Sequence, residues 1–310
     1  MIDFPALASG ETPFWDGQTF QIGQRTSRVL AYSTNPTGWD ETLTALHEAE
    51  AGDGAHPIDL ASRHAAIDAL RRHRFPEDGA LLEIGCSSGF LLRDLKRAFP
   101  NAEIVGSDVF LELLERLGRS LPGLPLVQMD LLQCPIRGGQ FDAVVALNVL
   151  EHIESDTTAL LRMAELLKPE GILVLEVPQG PNLYDLYDAY LKHFRRYSKQ
   201  EVVAKCSSSG FKPIEVKFLG FVPYIPFWLM KKLNRLRYGK RGERALRLQE
   251  LVRGQIKTTA DSKLLRLAFL VEKALCTRIS APIGIRCTLV ARASDAGQVR
   301  WQTPRNSAGL

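Results

Sequence analysis

The stretch that decides the fold runs Ala80-Leu81-Leu82-Glu83-Ile84-Gly85-Cys86-Ser87-Ser88-Gly89. A short apolar run ends at Gly85 and a helical pattern begins at Gly89, so the stretch predicts a strand, a tight turn and a helix. Glycine at position 85 lets the backbone turn sharply and approach a ligand closely. Open α/β sheets bind ligands beyond the carboxyl ends of their strands, so the turn marks a candidate site. Taken alone, this Gly-x-x-x-Gly pair fits an ordinary tight turn equally well.

Alternation of strand and helix continues outward from this turn. Apolar runs predict strands over 103–107, 124–129, 141–147, 172–177, 211–216 and 285–291. Helical patterns cover 59–73, 89–99, 110–119, 157–167, 199–208 and 264–275. Such alternation predicts an α/β fold in which helices cover both faces of a parallel sheet.

Carboxylates end the strands that follow the turn. Asp108 closes the second strand, 23 residues after Gly85, and Asp130 follows the third. An acidic residue at the first of these positions can accept hydrogen bonds from the ribose hydroxyls of an adenosine-containing ligand, and Asp130 can meet the adenine amino group. The strand ends therefore predict a site for an adenosine cofactor.

The glycine spacing argues against a dinucleotide. NAD-type ligands need a G-x-G-x-x-G turn whose amides receive the pyrophosphate, whereas Gly85 and Gly89 are spaced differently. Glu83 places a carboxylate near the position of those phosphates, where it would repel them. The same carboxylate suits the positively charged end of S-adenosylmethionine, directly or through water.

Three motifs resemble those of the class I S-adenosylmethionine-dependent methyltransferases. They are Leu82-Glu83-Ile84-Gly85-Cys86-Ser87-Ser88-Gly89, Phe141-Asp142-Ala143-Val144-Val145-Ala146-Leu147-Asn148-Val149-Leu150-Glu151-His152-Ile153, and Leu166-Leu167-Lys168-Pro169-Glu170-Gly171-Ile172-Leu173-Val174-Leu175-Glu176-Val177-Pro178. The resemblance covers residues 60 to 216 and favours the subgroup that methylates small molecules, lipids and quinone or glycan precursors. It implies a doubly wound, mostly parallel seven-stranded sheet of the Rossmann-like methyltransferase type, with S-adenosylmethionine as cofactor and S-adenosylhomocysteine as product.

The resemblance also implies roles for individual residues. We expect the methionine part of the cofactor to be surrounded by Glu83, Gly85, Cys86 and Gly89. We expect the ribose to contact Asp108 and its neighbour Val109, and the adenine to contact Asp130 and Leu131. Leu147 and Asn148 should lie near the methyl group. Ser87 departs from the pattern, since the family often has glycine there, and this puts the geometry of the loop in question.

Two histidines are candidate catalytic residues. His152 follows the fourth strand and can serve as a general base if the acceptor must lose a proton; the alternative is a structural residue that orders the loop. His193 lies between the fifth strand and the next helix, where it can touch the substrate. Alternatively it packs beside a capping box formed by Ser198 and Glu201. The other histidines (His47, His56, His64 and His73) show no metal-ligand spacing, so we expect them at the surface and predict no metal site.

The region from 218 to 253 is apolar first and basic afterwards. Residues 218–230 are nearly all apolar, although Gly220, Pro223 and Pro226 interrupt them. The segment from Lys231 to Arg253 contains nine Lys and Arg residues and two Glu residues, which gives a local net charge of +7 in a chain whose net charge is +4. Such a segment can rest on an anionic membrane surface or form a pocket for a lipid-linked acceptor. The alternative, which the sequence favours slightly, is an apolar lid over the site with a solvated basic half.

These patterns predict five segments in the 310 residues. They are an N-terminal extension or lid (1–58), a cofactor-binding core (59–217), an apolar and basic helical insertion (218–284), a closing strand (285–293) and a disordered tail (294–310). Five widely spaced cysteines predict no disulfide framework. We therefore expect a cytoplasmic protein, with a peripheral location at the inner face of the membrane as the alternative.

Three other functions compete with methyl transfer to a small-molecule or lipid- or glycan-linked acceptor. The glycine spacing and Glu83 disfavour a nicotinamide-dependent oxidoreductase. A non-catalytic module that binds S-adenosylmethionine is disfavoured by the intact set of carboxylates but stays open. Nucleic acid is not an expected partner, because the fourth strand ends in Leu147-Asn148-Val149-Leu150, without the N/D-P-P-Y/F motif of base amino-methylation. The sequence says nothing about the oligomeric state.

Overall fold

The computed structural model describes residues 2–32, 54, 56–238, 254, 259, 262–276 and 281–294. The predicted disordered tail, apart from Ser294, and the basic residues from 239 to 253 lie outside this set. The domain boundaries given above therefore stay a prediction.

Eleven strands lie in the described ranges. They are β1 (Phe14–Trp15), β2 (Phe20–Ile22), β3 (Arg25–Ser27), β4 (Val29–Ala31), β5 (Ala80–Ile84), β6 (Glu103–Asp108), β7 (Leu126–Gln128), β8 (Phe141–Leu147), β9 (Leu167–Pro178), β10 (Phe211–Leu219) and β11 (Arg286–Ala293). The first three form a small antiparallel sheet, and the other eight form the main sheet in the order β10-β11-β9-β8-β5-β6-β7-β4. In the main sheet, β11 runs antiparallel to both of its neighbours and the remaining pairs are parallel.

Eight α-helices accompany the strands in the described ranges. They are α1 (Pro57–Arg72), α2 (Phe90–Ala98), α3 (Leu111–Ser120), α4 (Asp156–Leu166), α5 (Leu186–Tyr190), α6 (Lys199–Ser208), α7 (Tyr224–Tyr238) and α8 (Lys263–Cys276). The predicted α/β class with a doubly wound, mostly parallel sheet is confirmed. The predicted number of seven strands is one too few.

The additional strand is β4, which comes from the N-terminal extension. Val29 pairs with Leu126 and Ala31 with Gln128, so β4 forms the edge of the main sheet beside β7. A strand of three residues between turn formers is too short to show a periodic pattern, which is why the sequence did not reveal it. The same extension contributes Ile2, Phe4 and Phe20 to the hydrophobic core.

Two hydrophobic cores lie on the two faces of the main sheet. All five residues of β5 are buried, which explains its continuous apolar run. Successive side chains of a strand point to opposite faces. Accordingly Leu81 packs with Leu92 in one core, whereas Leu82 packs with Phe141 in the other.

The apolar segment from 218 to 230 is more regular than its prolines indicate. Phe218 and Leu219 complete β10, the chain turns at Gly220 with a φ of +82°, and α7 begins at Tyr224. Pro223 precedes the helix and Pro226 lies in its first turn, where no intrahelical N–H bond is lost. In the described part of the chain, no helix combines the length and the apolar composition that crossing a membrane requires.

Candidate active site

A cavity of about 1510 Å³ opens at the carboxyl ends of the central parallel strands. Its floor carries Gly85 after β5, Asp108 at the end of β6 and Asn148 after β8. Helices α7 and α8 cover it, the first with Phe227 and Met230 and the second with residues that include Ala268 and Phe269. The cavity is larger than a drug-sized ligand requires, since such sites commonly measure about 300–1,000 Å³. Cofactor and acceptor can therefore share it.

The loop after β5 has the close-approach geometry that its glycine predicts. Gly85 has a φ of +74°, and a Cβ atom there would lie 2.6 Å from Cγ2 of Val149. Ser87 has a φ of +43°, in the left-handed region that glycine adopts without strain. The amide of Ser87 donates to Oδ2 of Asp108 at 2.9 Å. Asp108 therefore fixes the shape of the loop as well as facing the cavity.

Glu83 lies directly under this loop. Its side chain is buried, and its Oε2 atom has no hydrogen-bond partner among the described residues. Burial, with a smaller contribution from the negative charge of Asp108, raises the pKa of Glu83 well above its ordinary value. A buried carboxylate without a partner is costly unless a cation or a hydrogen-bond donor reaches it. A cationic or hydrogen-bonding ligand end that reached this oxygen would satisfy it, although Glu83 is not itself among the residues that line the cavity.

The predicted adenine-side and methyl-side residues also occupy defined positions. Oδ1 of Asp130 accepts a hydrogen bond from the amide of Leu132 at 2.9 Å and caps a short 3-10 turn. Asn148 has a φ of +55°, and its side chain donates to the buried carboxylate of Glu176 at 3.2 Å. The cavity wall at both places is therefore held by the backbone or by a buried acid.

The structure brings most of the predicted site residues to this one cavity. Those that line it are Gly85, Asp108, Val109, Asp130, Leu131, Leu147, Asn148, His152 and His193. Glu83, Cys86 and Gly89 lie behind the wall. At Gly89, where φ is +70°, a Cβ would lie 2.4 Å from Leu117, so this glycine serves close packing against α3. Burial raises the pKa of the Cys86 thiol well above its ordinary value, so the thiol stays protonated.

His152 and His193 meet in the wall of the cavity. Their rings stand edge to face with centroids 4.6 Å apart. Burial lowers the pKa of both imidazoles, and each therefore stays neutral at neutral pH. Glu151 joins them, so that one ligand-type atom of each of the three residues lies within 4.8 Å of the others. Burial raises the pKa of Glu151 to about 8, which leaves it largely protonated at neutral pH.

A buried ionic network supports His193 from behind. Nδ1 of His193 lies 3.1 Å from Oδ1 of Asp188, which also accepts from Nε of Arg196 at 2.8 Å. The other oxygen of Asp188 accepts from Nζ of Lys231 at 2.9 Å, and Asp185 accepts from the same Nζ at 2.6 Å. Although burial opposes it, the hydrogen bond from His193 and the charges of Arg196 and Lys231 hold the pKa of Asp188 far below its ordinary value.

Sequence reasoning missed this network and placed some residues wrongly. Lys231 was expected in a solvated or lipid-facing basic segment, but it is 2% exposed between two carboxylates. His56 was expected at the surface and instead lies buried in the cavity wall; His47 lies outside the described residues. Half of the predicted capping box is present, because Ser198 accepts from the amide of Glu201 at 3.1 Å. The signal for the network was the acidic pair Asp185 and Asp188, close before His193 and Arg196 in the chain.

The fold is that of an α/β protein whose carboxylate-bearing strand ends line a cavity at the carboxyl edge of its sheet. Residues 82–175 match the family model described as "Methyltransferase domain". The chain therefore contains a methyltransferase domain of the class I S-adenosylmethionine-dependent type.

Curated relatives resemble part of this chain. A malonyl-[acyl-carrier protein] O-methyltransferase of Halalkalibacterium halodurans is 28% identical over 148 residues, which are 44% of this chain and 54% of the relative. A trans-aconitate 2-methyltransferase of Acidovorax sp. is 26% identical over 142 residues, 46% of this chain and 50% of the relative. The chain thus spans about half the length of the curated relatives it matches.

A solved structure supports the fold. Phosphoethanolamine N-methyltransferase 2 of Haemonchus contortus, in complex with S-adenosylmethionine, superposes with a TM-score of 0.54 at 16% identity. The superposition covers 83% of this chain and 58% of that one. At this level of identity the likeness shows the shared architecture alone.

Proposed function

We propose that this protein transfers a methyl group from S-adenosylmethionine to a small, lipophilic acceptor held in the cavity, and that His193 accepts the proton the acceptor releases. The observation that carries the proposal is that carboxylate-bearing strand ends and a buried histidine pair face one cavity. The first set suits the cofactor, and the second suits the acceptor.

The cofactor would be held by the strand ends. Asp108 would receive the ribose hydroxyls, Asp130 and Leu131 would contact the adenine, and Glu83 would balance the cationic methionine end. When bound, S-adenosylmethionine supplies an electrophilic methyl group. The part of the protein is then to hold the nucleophile close and in line, which can account for much of the rate of such a displacement.

Proton transfer is assigned to His193 because of its partner. If Nδ1 donates its hydrogen to Asp188, Nε2 is left as the basic nitrogen. The carboxylate of Asp188 stabilises the imidazolium that forms when Nε2 takes the proton. His152 lies against the ring of His193 and lowers its freedom to rotate. We therefore assign His152 to positioning the base.

The charges around the cavity bear on the class of acceptor. Three cations among the described residues line it, and each already contacts at least one carboxylate: Arg196 with Asp188, Lys231 with Asp185 and Asp188, and Arg286 with Asp59 and Glu176. This pairing favours a neutral hydroxyl or amine over a carboxylate as the methylated group. The apolar side chains of α7 and α8 favour an acceptor with a hydrocarbon or lipid-linked part.

The experiment measures cofactor binding first and the acceptor afterwards. Calorimetry with S-adenosylmethionine, S-adenosylhomocysteine and NAD should give binding of the first two only. Methyl-labelled S-adenosylmethionine is then supplied with dodecylphenol, dodecylaniline or dodecylbenzoate, which share one ring and tail. We expect label on the phenol or the aniline, and a loss of about a hundredfold or more in His193→Gln. Methylation of the benzoate alone would contradict the assigned proton transfer.

Two further outcomes separate the alternatives. A protein that binds S-adenosylmethionine but labels none of the three acceptors would favour the non-catalytic cofactor-binding module. The spacing of Glu151, His152 and His193 would also admit a divalent cation. Loss of labelling in EDTA, with recovery on adding Mg²⁺ or Zn²⁺, would assign the cluster to a metal instead of to proton transfer.

A further inference from the structure

Helix α7 has an apolar outer face in addition to the face that lines the cavity. The exposed residues Ile225, Trp228, Leu229, Leu233 and Leu236 recur at the three- and four-residue spacing of one helical stripe. Ile225 is 74% exposed and Leu236 is 78% exposed. Side chains of this size are seldom left in water as a continuous stripe without a partner.

Helix α8 repeats the arrangement. Its outer residues Leu267, Leu270, Val271 and Leu275 are exposed, with Leu270 at 66%. Its inner residue Glu272 is buried and accepts hydrogen bonds from the amides of Gly220 and Val222, at 2.8 and 3.1 Å. These bonds tie α8 to the turn that leads into α7.

The charges on the two helices have one sign at the surface. Residues 224–238 contain no Asp or Glu, and Glu272 is the sole acidic residue of 263–276. Lys232 and Arg235 are exposed on α7, and the Nζ of Lys232 lies over the ring of Trp228, 4.9 Å from its centroid. Lys263, Arg266 and Lys273 are exposed on α8. Apolar stripes that are flanked by cations, without exposed anions, complement an anionic lipid surface.

We propose that the outer faces of α7 and α8 dock this protein on the surface of an anionic bilayer, with the apolar stripes in the headgroup region. The inner faces of the same helices line the cavity. Docking would therefore place the cavity beside the membrane. This inference is independent of methyl transfer, since a lipid surface would bind the helices whether or not the cavity catalyses a reaction.

Co-sedimentation of the full chain with vesicles tests the proposal. We compare vesicles of phosphatidylcholine with vesicles containing phosphatidylglycerol, at low and at high salt. Binding is expected with the anionic vesicles and should weaken in high salt. Lys232→Gln should weaken it about fivefold, the factor that corresponds to about 1 kcal/mol for one basic charge near the surface. Lys212→Gln, an exposed lysine on β10, is the matched control and should bind as the wild type does.

The apolar stripes are tested by Ile225→Asp and Leu270→Asp. Both residues are exposed and neither lines the cavity, so these variants should fold and bind S-adenosylmethionine normally while losing most vesicle binding. The control variant Leu161→Asp, at an exposed position on α4, should bind vesicles as the wild type does. The proposal is overturned if the wild type binds neither vesicle, or if the α7 and α8 variants bind like the wild type. It is also overturned if these variants abolish self-association of a chain that does not bind vesicles, because the stripes would then contact a second copy.

Discussion

Asp188 lies 3.1 Å from Nδ1 of His193, and the same carboxylate contacts Arg196 and Lys231. One buried acid therefore serves a candidate base and two cations at once. The arrangement fixes which nitrogen of His193 faces the cavity, because the other is occupied by the carboxylate.

The acid limb of the pH-rate profile should reflect the protonation of His193. Burial lowers its pKa below the ordinary 6.5, although Asp188 opposes the shift. The neutral, basic form is therefore present at pH 6.5 and above, and the rate should fall only at more acidic pH. Asp188→Asn should move this limb to still lower pH and reduce kcat, because the imidazolium loses its counter-charge. The control His64→Gln, at an exposed position on α1, should leave the profile unchanged. If Asp188→Asn also left it unchanged, Asp188 would have no role in holding His193 as the base.

Asp108 should control cofactor affinity. Its carboxylate braces the amide of Ser87 and faces the cavity, so Asp108→Ala removes both the loop contact and the expected ribose hydrogen bonds. At about 0.5–1.5 kcal/mol for each bond, the loss should amount to roughly 10- to 100-fold in Kd for S-adenosylmethionine by calorimetry. The control is Asp142→Ala, because Asp142 lies near the start of β8, at the edge of the sheet away from the cavity. Equal affinities in the wild type and Asp108→Ala would refute the assignment.

Glu83→Gln should have opposite effects on stability and on binding. The pKa of Glu83 in the folded protein lies above its ordinary value of 4.5. Stability associated with the protonated carboxyl is therefore fully present below about pH 4.5 and is lost as the pH rises toward the folded-state pKa. The glutamine cannot ionise, so the ligand-free variant should unfold at a higher temperature than the wild type at pH 8, with little difference at pH 4.5. Its affinity for S-adenosylmethionine should be weaker, and a variant that binds as tightly as the wild type would contradict the proposed charge pairing.

Ser87 should be a mildly strained position. Its φ of +43° is costly for a residue with a Cβ and free of that cost for glycine. Ser87→Gly should therefore leave the free energy of unfolding unchanged or raise it by up to about 1 kcal/mol. Ser87→Val should lower it by about 1–2 kcal/mol, because a β-branched side chain tolerates this conformation least. Urea denaturation measures both, and a less stable glycine variant would show that the serine side chain supports the loop.

The sequence predicted the central sheet well because its strands are buried on both faces and its helices have one apolar face. The ends of β8 agree with the predicted 141–147, and those of α6 with 199–208. Positions at the ends of strands follow directly from the topology, which is why Asp108, Asp130 and Asn148 were placed in one cavity.

Other features depended on contacts that no local pattern contains. The strand β4 is stabilised by pairing with β7, roughly a hundred residues further along the chain. The sequence around Lys231 is typical of a solvated lysine. Its burial results from ion pairs with the carboxylates of Asp185 and Asp188, more than forty residues earlier in the chain. A basic run in a sequence therefore identifies charge but does not reveal which of its members is neutralised inside the protein.

The Lys231 network should anchor α7 to α5. Lys231→Met leaves Asp185 and Asp188 without this cation, and breaking a buried pair typically costs about 3–5 kcal/mol. Asp185→Asn removes one of the two partners. In a double-mutant cycle measured by urea denaturation, the double variant should lose clearly less than the sum of the two single variants. The control is Lys168→Met, which breaks a half-exposed pair with Asp142 and should cost at most about 1 kcal/mol. Additive losses for Lys231 and Asp185 would mean that α7 is held on α5 by its apolar contacts, with the ion pair contributing nothing to the attachment.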